Sequence, residues 1–172
     1  METKQHNFKE SLNWSKSVNN QLPWLDVYKK AFPDYANSHE IESNCQAQHM
    51  GIDRVISLKT GKTIYVDEKI RKKYYGDIAL EYKHVFNNGS QKVGWIEKDL
   101  LIDYLAYAVL PIKKVALFDW QILKRAWLEN RESWLNKYKI VKAQNNNYVS
   151  YSCAIPKNIL FNCMTEYRII EF

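Results

Sequence analysis

Residues 51–69, GIDRVISLKTGKTIYVDEK, decide the fold. Apolar and polar residues alternate on both sides of Lys59-Thr60-Gly61, the pattern of two half-buried strands joined by a tight hairpin. A three-residue loop with glycine in the left-handed position pairs Leu58 with Lys62. Cross-strand partners then sum to 120, which sets Asp53 opposite Asp67, with Cβ atoms about 4.5–5.5 Å apart. Because side chains alternate along a strand, one face carries Asp53, Val55, Ser57, Thr63, Tyr65, Asp67 and Lys69. The other carries Ile52, Ile56, Leu58, Ile64, Val66 and Ile70 and is the core face. Like charges directly opposite one another are destabilising unless a cation or a proton lies between them. The register therefore predicts a divalent metal at Asp53 and Asp67, with the ammonium of Lys69 two residues further along the same face. A two-residue loop would instead pair Asp53 with Glu68 and dissolve the arrangement.

Upstream of the hairpin, residues 1–40 read as a helical N-terminal part, with Pro23 opening an apolar stretch (Trp24, Leu25, Val27, Tyr28) that ends near Phe32-Pro33-Asp34. The polar run from Asp34 to Met50 reads as a loop. Downstream, DIALEYKHVF (77–86) reads as a third strand completing a β-meander. Residues 97–110 carry Leu100, Leu101, Leu105 and Ala108 at helix-like spacing and read as a helix stopped by Pro111. VALFDW (115–120) reads as a buried strand, and residues 120–138 as a long helix. A strand at YVSYSCAI, a short helix from Pro156 and a terminal strand, EYRIIEF, follow. The expectation is a single α/β (α+β) domain over residues 1–172, with a central mixed β-sheet flanked by helices. Its core would span 51–120, followed by a C-terminal helix and strands in 121–172.

Composition bounds the function classes. Hydrophobic residues at 46% and charged residues at 26% match a packed globular chain and exclude a low-complexity one. Twenty-five Lys and Arg against 19 Asp and Glu give a net charge of +6, which favours a polyanionic partner. Seven of these cations (Arg54, Lys59, Lys62, Lys69, Arg71, Lys72, Lys73) lie between residues 54 and 73, against two acids. Three dispersed Cys (Cys45, Cys153, Cys163) suggest neither a disulfide framework nor a thiolate zinc site. With no signal-like N-terminus and no run of about 18 apolar residues, a cytoplasmic chain without membrane contact is expected. Gly-rich phosphate loops, GxSxG elbows, dinucleotide fingerprints and H-E-x-x-H patterns are absent from the sequence.

An Asp at the start of one strand, a hairpin, and an apolar strand ending in (D/E)-x-K resemble the active site of PD-(D/E)XK nucleases, the restriction-endonuclease-like fold. Gly51-Ile52-Asp53 carries the first part, and Ile64-Tyr65-Val66-Asp67-Glu68-Lys69 the second, its Asp fourteen residues after the first. Ile52 stands where the family sometimes has Pro. The order of elements also fits the family, with a helix (24–31) before the sheet and a helix (97–110) and strand (115–120) after it.

The resemblance implies Mg²⁺-dependent (or Mn²⁺-dependent) hydrolysis of phosphodiester bonds, in DNA before RNA. It implies metal ligation by Asp53, Asp67 and the backbone carbonyl of Glu68, with Lys69 orienting the water and screening the phosphate. Glu40 or Glu42 would be the additional acid that family members draw from a preceding helix. A second match in the same region, Asp67 with Glu81-Tyr82-Lys83, would place the motif on strands two and three, or make Glu81 an extra ligand. Arg54, Lys62, Arg71, Lys72 and Lys73 would contact nucleic-acid phosphates, and Tyr74 and Tyr75 could stack on bases. So small a chain would act as a homodimer or within a larger complex. A non-catalytic nucleic-acid-binding protein or a protein-interaction module of the same fold is the alternative.

Overall fold

The structure is a computed structural model and describes residues 22–41 and 46–172. Its described residues form two compact units. One comprises residues 22–75, 99–123 and 164–172; the other comprises 76–98 and 124–163. The stretch 51–120, expected as one continuous core, is thus shared between them.

The first unit is built on a six-stranded mixed sheet. Its strands are β1 (Tyr35–Glu40), β2 (Arg54–Leu58), β3 (Thr63–Arg71), β6 (Tyr104–Val109), β7 (Lys114–Asp119) and β10 (Tyr167–Glu171), in that spatial order. All neighbours are antiparallel except β3 and β6, which run parallel. Helix α1 (Trp24–Ala31) buries Trp24, Val27, Tyr28 and Ala31, an i, i+3, i+4, i+7 stripe. Pro33 forces Phe32 into extended backbone and ends the helix. The stripe lies on the sheet face of Arg54, Glu68 and Tyr104. Tyr28 hydrogen-bonds Glu68, and Phe32 packs edge-on against Tyr104 at 5.5 Å between ring centroids. A single turn, α2 (Gln46–His49), precedes β2.

The second unit carries an antiparallel four-stranded sheet. It orders β5 (Gln91–Val93), β4 (Asp77–Phe86), β9 (Tyr148–Pro156) and β8 (Ile140–Gln144). Most of the long helix α3 (Trp120–Lys137) and the short helix α4 (Lys157–Asn162) belong to it. Trp127 of α3 packs against Tyr82, at 6.0 Å between centroids, and against Trp134. No helix among the described residues is long and apolar enough to cross a membrane.

The mixed sheet and α+β class match the sequence reading, but three stretches differ, and strands β5 and β8 have no counterpart in it. Residues 35–40, expected at the junction of the helical part and a loop, form edge strand β1. The predicted helix at 97–110 does not form: its second half, 104–109, is strand β6, because YLAYAV is buried almost continuously between two neighbouring strands. An apolar run that short has no period that separates strand from helix. The third difference concerns β4, which forms but does not complete a meander. It pairs with β5 and β9, and the edge of β3 is taken by β6. The expected helical character of residues 1–21 lies outside the described residues.

Candidate active site

The β2–β3 hairpin has the register read from its turn. Ser57 faces Thr63, Ile56 faces Ile64, Val55 faces Tyr65 and Arg54 faces Val66. The ladder closes with Leu58 N–H donating to Lys62 O at 2.9 Å, and Gly61 takes φ +85°, a conformation glycine adopts without steric cost. Ile56, Ile64 and Val66 are buried on the core face.

At the open end the chain departs from ideal pairing, and this departure builds the site. Asp53 N–H donates to Val66 O at 2.9 Å, one residue out of register, and the Asp53 carbonyl accepts from Ile41 N–H at 2.8 Å. The Asp53 carboxylate then accepts from the backbone N–H of Glu68 at 2.8 Å. That anchor holds it near enough to the Asp67 carboxyl to oppose its ionisation. Lys69, one pleat further on, places its ammonium on the Asp67 carboxyl.

Asp67 is 2% exposed. Its neighbour across the parallel pair is the fully buried Leu105, and Lys69 lies beside the buried Tyr107. Loss of solvent pushes the Asp67 carboxyl up to about 7. Lys69 opposes that rise and Asp53 adds to it. A buried acid held near neutrality beside a second carboxylate and a lysine can exchange its proton for a cation. Asp103 keeps β3 in place from the β6 side, accepting Tyr65 N–H on its carboxylate and donating its own N–H to Tyr65 O, both at 2.8 Å.

The opposite face of the same strands holds a second polar cluster. Arg54 is 7% exposed, and its Nε donates to Glu68 Oε1 at 2.6 Å while Tyr28 donates to the same oxygen at 2.7 Å. Its guanidinium also lies 5.9 Å from the Tyr28 ring centroid and 3.7 Å from the exposed Glu40 carboxylate. Burial raises the Glu68 carboxyl, while Arg54 and Tyr28 act to hold it ionised. Arg54, expected to contact phosphates, is therefore part of the buried framework. The Glu68 side chain is committed there too, so only its backbone carbonyl remains for the ligand role the resemblance implies. Nothing in the sequence pattern distinguishes this buried arginine from its exposed neighbours Lys62 and Lys72, which are also even-numbered.

Of the other candidates, Lys62, Lys72 and Lys73 are exposed, and Arg71 lies 4.9 Å from the Tyr75 ring centroid. Glu42 lies outside the described residues. Glu81 and Lys83 sit on β4, which does not adjoin β3, so the strand pairing assumed for the second motif match is absent. There Glu81 contacts His84 at 2.8 Å and Lys83 lies 5.0 Å from the Tyr151 ring centroid.

Among the described residues no group of three or more His, Cys, Asp or Glu side chains is gathered to hold a metal. Asp53 and Asp67 would offer a pair of carboxylate oxygens, a donor type that suits Mg²⁺, which is usually bound by one or two carboxylates and several waters. Comparisons with models of protein families, with curated proteins and with solved structures return no match to this chain.

Proposed function

We propose that the chain is a Mg²⁺-dependent nuclease acting on phosphodiester bonds in DNA, with a restriction-endonuclease-like arrangement around β2 and β3. The observation that carries this reading is the Asp53 carboxylate held by the Glu68 N–H beside the buried Asp67, whose ionisation it opposes, with Lys69 on the Asp67 carboxyl. Asp53 and Asp67 would hold the cation, and the Glu68 carbonyl is the remaining oxygen that the resemblance assigns. Bound Mg²⁺ would supply a more acidic water and neutralise charge on the phosphate. Asp67 would hold the cation as the carboxylate. Lys69 would orient the attacking water and screen the scissile phosphate. The Glu68 N–H fixes the rotamer of Asp53, so the first carboxylate is oriented before substrate arrives. Lys62, Arg71, Lys72 and Lys73 supply phosphate contacts that do not depend on sequence.

The helix that the family places after its catalytic strand is replaced along the chain by β4, β5 and their connections. Among the described residues, buried Cys153 and exposed Cys163 are free thiols, which accords with a reducing, cytoplasmic setting. Homodimerisation or action in a larger complex would supply the recognition surface.

A non-catalytic nucleic-acid-binding role is the second reading. It is favoured by the Lys69–Asp67 ion pair, which neutralises the buried acid without a metal. Incubation with plasmid and single-stranded DNA in Mg²⁺, Mn²⁺ or EDTA separates the two. The nuclease reading expects cleavage that disappears in EDTA and in Asp67→Ala and Lys69→Ala. Cleavage that survives EDTA, or is unchanged in both variants, would exclude it. Salt-sensitive binding with no cleavage would establish the second reading.

A further inference from the structure

The basic and aromatic turn that follows β3 has a geometry that phosphate contacts alone do not use. Asp67, Lys69 and Arg71 occupy alternate positions on one face of β3, spaced about 6.6 Å apart along the strand. Beyond Arg71 come Lys72, Lys73, Tyr74 and Tyr75, all exposed. Tyr75 is 62% exposed and Tyr74 43%, so neither ring makes the contribution to a core that would account for its size. The Arg71 guanidinium, 4.9 Å from the Tyr75 ring centroid, ties that ring to the end of the line that starts at Asp67. A cation against an exposed ring, next to further cations, is the composition of a platform for unpaired bases. In a duplex the base faces are stacked on one another and closed to such a ring.

We infer that the end of β3 and its following turn bind an unpaired nucleic-acid strand, its phosphates tracking Lys69, Arg71 and Lys72 and a base stacking on Tyr75. The direction of the strand, running from the turn toward the carboxylate pair, rests on the nuclease reading; the stacking site itself does not. The substrate class becomes a single strand, or the single-stranded end of a partly paired molecule. An acidic peptide would satisfy the cations but make little use of the ring, which is why the nucleic acid is preferred.

Fluorescence anisotropy of the full chain in EDTA, where no metal-dependent cleavage occurs, tests this with labelled oligothymidylate, oligouridylate and a blunt DNA duplex. Single strands bind more tightly than the duplex. Tyr75→Ala weakens single-strand binding about ten-fold, within the range for loss of one stacked base, and leaves duplex binding unchanged. Tyr75→Phe keeps wild-type affinity, and matching thermal melts establish that both variants are folded. Unchanged single-strand affinity in Tyr75→Ala, or an equal loss for the duplex, would overturn the inference. Loss of single-strand affinity in a protein that never cleaves would keep the stacking site and remove the nuclease. Cleavage without a Tyr75 effect on single-strand binding would do the reverse.

Discussion

Two acidic residues adjacent in sequence, Asp67 and Glu68, have opposite roles because they point to opposite faces of β3. Glu68 is matched by the buried Arg54 and Tyr28, and its own side chain is only 4% exposed. Removing one partner of such a pair leaves a buried charge without compensation and commonly costs about 3–5 kcal/mol. Arg54→Ala should accordingly destabilise the fold by about 3 kcal/mol in urea titration, with no change in the salt dependence of nucleic-acid binding.

Asp67 behaves differently, because its carboxyl is raised to about 7 by burial, with Asp53 adding to the rise and Lys69 opposing it. Between the ordinary carboxyl value and about 7 the folded chain binds the proton that the unfolded chain has released. Stability from this group is thus complete below about pH 4 and falls as pH rises toward 7. The full effect is on the order of 4 kcal/mol. Urea titrations in EDTA from about pH 4.5 to 7.5 should show this decline, and Asp67→Asn should flatten it. A slope unchanged by Asp67→Asn would place the titration elsewhere.

At the scale of elements, the hairpin is legible in the sequence because its information is local. Alternation marks both strands, and Gly61 selects the turn that sets Arg54 against Val66. The site follows from that register, although the one-residue offset at Asp53 depends on its backbone bonds to Val66 and Ile41 and on the Glu68 N–H held by its carboxylate, which no pattern reveals. The strand β6 reads as a helix because its apolar residues satisfy both periods. Its identity is settled by pairing with β3 and β7, the first of them far away in sequence. The polar strand β1 carries no hydrophobic alternation and exists as an edge to β2. Arg54 reads as a surface cation because charge alone does not report which face of a strand is covered by α1.

Two glycines separate local from tertiary demands. Gly61 takes φ +85°, and a side-chain carbon there would meet nothing within 4 Å. Gly61→Ala should therefore cost only about 1 kcal/mol and preserve the register. A side-chain carbon at Gly94 would lie 2.2 Å from the Glu81 carbonyl oxygen. Gly94→Ala should cost about 3 kcal/mol or more. Thermal melts of the two variants check the contrast.

For the whole molecule, the charge of +6 reports an excess of cations without locating it. The structure removes Arg54 from the exposed set and leaves Lys62, Lys72 and Lys73, with Arg71 at the aromatic turn. Removing one phosphate-binding cation should reduce the slope of log affinity against log salt by about 0.7–0.9. Lys72→Ala and Lys73→Ala, measured by anisotropy across a salt series, should each show that reduction. The division into two units also explains why an element order read along the chain misplaces β4: residues 76–98 leave the six-stranded unit before β6 returns to it. The most direct measurement is isothermal titration of the metal-free protein with Mn²⁺. The account predicts one bound cation per chain, abolished in both Asp53→Asn and Asp67→Asn while each variant stays folded; binding that persists in either variant, or none in the wild type, would contradict it.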